Sequence, residues 1–240
     1  MKTTLNVFLI TLLIFTIQSC SFKSIRGNGV ITEKEINISD YSEIVFGGSA
    51  NIVYEQKTDA APYLKIEIDE NIFPLLKIKS ENGILSIEQE SGSNIRPTKY
   101  NIFTNSTALA NVNTSGSAKI HIKGKLQTEN LNFRLSGSGN VVVDDVTCNS
   151  ISSRVSGSGD ITLSGKATSI DNAISGSGKV NAMDLYAEDV TCTVSGSGNF
   201  WVHAEKNLKV NVSGSGNVRY KGNPQIDQSI SGSGKVIKED

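Results

Sequence analysis

The sequence is poor in the residues from which most reactive sites are built. Of its 240 residues two are His, three Cys, one Trp and four Pro, and aromatics make up 6%. His121 and His203 stand alone, without the spacing of metal ligands. Lys and Arg (23) nearly balance Asp and Glu (24), giving a formal charge of −1 with the two signs interspersed. No basic stripe of the kind nucleic acid requires is present. A hydrophobic content of 38% is low for a globular core but suits a thin rod of aliphatic ladders. The scarcity of proline leaves long strand pairings uninterrupted.

What the chain has instead is repetition. Ser136-Gly137-Ser138-Gly139 returns at 156–159, 175–178, 195–198, 213–216 and 231–234, with separations of 20, 19, 20, 18 and 18 residues. A period of about twenty signals a solenoid. A Gly/Ser tetrapeptide also suits a flexible linker, but the flanking columns keep their character from copy to copy along the chain. The residue before each corner is Leu135, Val155, Ile174, Val194, Val212 and Ile230, and the residue five before the first Ser is Leu131, Ile151, Ile170, Val190, Leu208 and Ile226. Five residues after that Ser stand Val141, Ile161, Val180, Phe200, Val218 and Val236. Alternation on both sides of a glycine corner is strand chemistry. One such unit cannot bury its own stripe, so units must stack. The spacing predicts an all-β fold: a right-handed parallel β-helix with rungs of about 18–21 residues, each about 4.8 Å above the last.

Residues 1–19 read as a signal peptide: Lys2, an apolar run over 5–15 too short to span a bilayer, and a small residue at the cleavage point. Ile17-Gln18-Ser19-Cys20 looks like a bacterial lipobox, which implies lipidation of Cys20 and a membrane partner through that lipid. The expected address is the cell envelope, as an outer-membrane lipoprotein. The absence of an acidic cluster after Cys20 leaves the periplasmic face and the cell surface both open. Residues 20–29, polar and containing Gly, read as a tether. Residues 30–113 form an N-terminal β region and 114–240 the regular helix. Within the former, Ile44 and Phe46 before Gly47-Gly48-Ser49-Ala50, then Ile52 and Tyr54, fit the template as a degenerate first rung. Asn82-Gly83 between alternating runs predicts a hairpin, hence an antiparallel excursion between rungs. A second degenerate copy follows at Ser115-Gly116-Ser117-Ala118.

Gly27-Asn28-Gly29, the run Ile38 to Tyr54, Asp69-Glu70-Asn71-Ile72, Gly83 to Ile87 and the iterated corners together resemble the autotransporter-adhesin family called the head GIN domain. The likeness covers nearly all of 27–236. It implies a β-helical fold and a Bacteroidetes-type lipoprotein, and it carries over no catalytic or ligand residues.

Chemistry is sparse along the expected rod. The column after each corner reads Asn140, Asp160, Lys179, Asn199, Asn217 and Lys235, which cannot form a Ca²⁺ ladder. No carboxylate set suggests catalysis, and no metal or cofactor is expected. Cys148 and Cys192 lie 44 residues apart, about two rungs or 9–10 Å along the axis, too far for a disulfide. Cys192 falls on an inward column, so two free and mostly buried thiols are expected. Two candidate contact surfaces remain: Arg134 and Arg154, on equivalent outward positions of adjacent rungs, and Trp201 with Arg219 on the outward column beyond the corner. The expected function is a non-catalytic, lipid-anchored binding or adhesin-like scaffold for a glycan or protein ligand. A carbohydrate-active β-helix enzyme and a periplasmic structural or signalling component are the alternatives.

Overall fold

The computed structural model describes residues 23–90 and 93–239. The expected signal peptide, residues 1–19, and the expected lipidation site Cys20 lie outside them. Among the described residues the architecture is all-β, with a single 3₁₀ turn at Phe73–Leu75. The expected parallel β-helix is observed. Four strands of 16 to 18 residues, Asn140–Gly157, Asp160–Gly176, Lys179–Gly196 and Asn199–Gly214, each run one full coil and pair in parallel with the next. Corner stands on corner: Ser136 pairs with Ser156, then Ser175, Ser195 and Ser213.

Each coil has three faces. In Asn140–Gly157 the buried residues are Val141 and Val143 on the first face, Val146 and Cys148 on the second, and Ile151, Ser153 and Val155 on the third. The aliphatic columns found by alternation are the core. One further column, which the sequence marks as inward only at Cys192, runs three residues before each corner. Its members Phe133, Ser153, Asn172, Cys192 and Val210 are all fully buried. Ser153, Asn172 and Cys192 interrupt the aliphatic columns of the interior, and a search for aliphatic repetition passes over them.

The two glycines of each corner do different work. The first has a positive φ, as at Gly157 (123°), and lies over the preceding rung so closely that a Cβ there would stand 2.5 Å from the carbonyl oxygen of Gly137. That carbonyl accepts a 2.8 Å hydrogen bond from the Ser158 N–H, and the same bond recurs from Ser177 to Gly157 and from Ser215 to Gly196. The second glycine turns inward, where a Cβ on Gly178 would meet the Val155 side chain at 2.8 Å. The corner is thus a continuous hydrogen-bonded seam.

The N-terminal region departs from the expected order. Glu43–Gly48 and Asn51–Gln56 form the degenerate first rung, with Gly48 beneath Gly116 and Ile52 beneath Ile120. The excursion does not lie between these rungs, which touch directly. It turns back below the first one: Ile84–Gln89 pairs in parallel under Glu43–Gly48, and Tyr100–Ser106 under Asn51–Gln56. Antiparallel strands then close this end, with Leu76–Glu81 on Ile84–Gln89, and Tyr63–Asp69 on Tyr100–Ser106 followed by Ile31–Asn37. The Asn82-Gly83 hairpin is present, both residues having positive φ (54° and 76°). The regular stack begins at Asn111, since Asn111–Gly116 pairs with Asn130–Gly137 above it.

Residues 23–29, within the stretch expected to be a tether, are held against the rod. Lys23–Arg26 is a strand parallel to Ser93–Arg96, and the glycines after it are clamped by Asp69. The buried Asp69 carboxylate accepts bonds from Gly29 N–H (2.8 Å), Thr98 N–H (2.7 Å) and Thr98 Oγ1–H (2.7 Å). Asn71 Nδ2 donates to the Arg26 carbonyl and Asn71 Oδ1 accepts from Asn28 N–H. Gly27 has no room for a side chain against the Asp69 carboxylate.

Candidate functional site

The strict register of the stack brings outward residues of successive rungs into columns. The column two before each corner holds Val45, Asn113, Arg134, Arg154, Ala173 and Thr193, paired one above another. Beside it run Gly47, Ser115, Ser136, Ser156, Ser175 and Ser195. Together they line an open groove of about 780 Å³ along the rod. Five rung steps make it roughly 24 Å long. Serine hydroxyls line it together with aliphatic side chains such as Leu135, Val155 and Ile174.

Arg134 and Arg154 face each other across one rung step within this groove, as their equivalent positions require. Their environments differ. Arg154 turns to Asp171, with Nη2 2.5 Å from Oδ2 and Nη1 2.8 Å from the Asp171 carbonyl oxygen. Such an exposed pair contributes little to stability, about 0–1 kcal/mol. Arg134 is exposed and has no hydrogen-bond or ion-pair partner among the described residues. Glu88 closes the lower end of the groove. Sequence reasoning missed it because its strand reaches that position only through the fold-back under the first rung.

Trp201 and Arg219 lie on another face. They are in register with Asn181 below and Ile237 above. Trp201 is half-buried at a shallow hollow of about 280 Å³ shared with Asp160, Lys179 and Asn181. Arg219 Nη1 is 2.5 Å from Glu239 Oε1, so its charge is engaged within the chain. The four candidate residues therefore form two separate pairs, not one site.

A third face carries Tyr186, 52% exposed, with its ring 4.5 Å from that of His203. His203 Nε2 lies 3.0 Å from Glu205 Oε1. His121 similarly meets Asp144, whose carboxyl is held below its usual range chiefly by the Gly124 N–H. Among the described residues, no three His, Cys, Asp or Glu side chains converge on a metal position. Cys148 and Cys192 are free and buried, on different faces of the coil. Burial pushes the Cys148 thiol up to about 11 and that of Cys192 higher still.

No curated protein matches the chain. Several solved structures do. A protein from Parabacteroides distasonis described as a putative lipid-binding protein is 36% identical, with TM-score 0.78, covering 91% of this chain and all of its own. A putative adhesin from Bacteroides fragilis is 27% identical, with TM-score 0.85, covering 90% of this chain and all of its own. A putative adhesin from Parabacteroides distasonis is 31% identical, with TM-score 0.74 and the same coverage. These likenesses agree with the resemblance carried by the N-terminal motifs and the iterated corners. A family model matches residues 40–224, and the chain belongs to the family described as "Putative auto-transporter adhesin, head GIN domain".

Proposed function

We propose that the protein is a non-catalytic binding scaffold of the cell envelope, adhesin-like, held to the outer membrane by a lipid on Cys20, and that it takes an extended acidic glycan along the corner groove. The observation that carries this reading is Arg134, an exposed guanidinium without an internal partner among the described residues, midway along a groove of six strand levels. One rung step is comparable to the length of one pyranose unit, so successive sugars meet equivalent serine hydroxyls. A guanidinium grips a carboxylate through two parallel bonds. The adhesin descriptions of the relatives support the scaffold role. The enzyme alternative requires converging carboxylates, and Glu88 is the acidic residue lining this groove among the described residues.

Affinity electrophoresis through polygalacturonate, with dextran as the neutral control, tests the ligand class. Retardation by polygalacturonate alone, weakened about tenfold or more in Arg134→Ala, is expected. Equal mobility in both gels refutes it. Labelled palmitate should enter the wild-type chain and not Cys20→Ala; incorporation in the variant removes the anchor. The relative described as lipid-binding favours one second reading, in which Arg134 meets an acidic lipid headgroup. Co-sedimentation with phosphatidylglycerol vesicles but no retention by polygalacturonate would select it.

A further inference from the structure

The two ends of the rod are finished differently. At the lower end the outermost strands are Ile31–Asn37 and Leu76–Glu81, each paired on one edge. They carry Glu33, Lys34 and Glu35, and Lys77, Lys79 and Glu81, the charges with which sheet proteins guard an open edge. The upper end has no such guard over most of its length. Gln225–Gly232 pairs on one side with Asn207–Gly214, and among the described residues nothing pairs with its other edge. Its single charge is Asp227.

Among the described residues this strand is the last over its part of the core, and it still carries core residues. Leu208 and Val212, one rung below, are 1% and 3% exposed; Ile226 and Ile230, in the same two columns, are 41% and 38% exposed. Repeat proteins need a polar cap where the stack stops. Here two isoleucines and a row of free backbone groups face outward together.

The sequence of the strand indicates what covers it. A two-fold axis through Gln228 sets residue 228 + k against residue 228 − k of a second copy in antiparallel pairing. Ile226 then faces Ile230, Ile230 faces Ile226, and Asp227 faces Ser229, so no like charges are opposed. The centre falls on Gln228, in the column that is Val210 one rung below. A glutamine amide carries both a donor and an acceptor, so two copies related by the axis satisfy each other. A one-residue slip would set Ile226 against Ser229 or Ser231. We infer that the upper end of the rod is a homophilic surface, where two copies of this chain join tail to tail through Gln225–Gly232. Such an isologous contact closes at two copies, and the charged strands at the lower end forbid head-to-tail growth. Lys235–Lys238, the other strand of this end, has Lys at both termini and takes no part in the pairing.

The lower ends, with the N-terminal strand Lys23–Arg26, stand at opposite poles of the pair. Combined with an anchor on Cys20, that arrangement joins two membranes. This last consequence rests on the anchored reading; the pairing itself does not.

Cysteine cross-linking of the full chain in detergent tests it. Gln228→Cys places a thiol on the two-fold axis, at a Cα separation that a disulfide spans. Glu33→Cys, at the guarded end, is the control, and the chain without an added cysteine is the blank. Oxidation should give a dimer band for Gln228→Cys and none for the other two. Sedimentation velocity should show a dimer whose dissociation constant rises about 100-fold or more in Ile226→Lys/Ile230→Lys, with protection of Cys192 from thiol reagents confirming that the variant is folded. A monomer at every concentration, cross-linking as efficient at position 33, or a dimer indifferent to the double substitution each overturns the proposal.

Discussion

Replacing Gly157 by Ala tests whether the corner seam holds the rod together, because the structure separates two penalties there. The first is conformational. A φ of 123° lies outside the left-handed basin that alanine tolerates, and such a backbone costs about 1–3 kcal/mol. Relief of unfolded-state entropy returns about 0.4–1 kcal/mol. The second is steric. The new methyl would stand 2.5 Å from the Gly137 oxygen and 3.2 Å from its carbon, so the rungs must part and the Ser158 to Gly137 bond stretches. A weakened backbone bond contributes about 1 kcal/mol more. The sum is about 1–3.6 kcal/mol. Gly124 is the internal control: its φ of 74° lies within the left-handed basin, and a methyl added there would meet no atom within 4 Å. Gly124→Ala should cost about 1 kcal/mol. Urea unfolding followed by circular dichroism measures both, with the slope checked for partial unfolding of rungs. If Gly157→Ala falls within about 0.5 kcal/mol of Gly124→Ala, close rung approach is not what makes glycine necessary.

Three further outcomes follow from buried groups. Burial opposes ionisation of Asp69, but bonds from Thr98 and the Gly29 N–H outweigh it and hold the carboxyl below its ordinary 3.8. A depressed folded-state value means that this contribution is fully present above the unfolded value and is lost as pH falls through the folded one. Amide exchange of residues 27–29 should therefore accelerate below about pH 4 in the wild type and be fast already at neutral pH in Asp69→Ala; equal protection in both discounts the clamp. Asn172 is fully buried, and neither its Oδ1 nor its Nδ2 has a hydrogen-bond partner among the described residues. Asn172→Val should raise stability by about 1–2 kcal/mol, and a lowered urea midpoint would mean that the amide is held by internal water. Both cysteines should resist a thiol reagent until the chain unfolds, with Cys148, 9% exposed, reacting before Cys192; immediate titration of two thiols contradicts the packing.

The regular part of the rod was legible because its determinants are local and repeated. A column such as Ile151, Ile170 and Val190 announces both its strand and its rung spacing, since a parallel stack imposes one residue class at one phase. The N-terminal half was legible by element and not by order. Ile84–Gln89 and Tyr100–Ser106 read as strands, but nothing in their alternation says that they stack beneath Glu43–Gly48 and Asn51–Gln56 instead of above them. That choice follows from which hydrophobic end lacks a neighbour, a property of the assembled stack. The polar core column was visible only at Cys192 for a different reason: Ser153, Asn172 and Cys192 share a position but not a chemistry. At the candidate groove, the adjacency of Arg134 and Arg154 came from the period alone. The capture of Arg154 by Asp171 and of Arg219 by Glu239 depends on side-chain reach, which spacing does not encode.

The corner seam also makes the length of the molecule adjustable. Because each Gly-Ser corner hands the next one the same carbonyl and receives the same N–H, one rung is an interchangeable part, and the two ends do not sense how many lie between them. Eight successive parallel pairings separate Tyr100–Ser106 from Lys235–Lys238, a height of about 40 Å. Duplication of one period within the gene lengthens the rod by a fixed increment and extends its groove by one equivalent position. Unequal recombination between the repeated corner segments supplies such changes without redesign, so the length of the rod can evolve as a count.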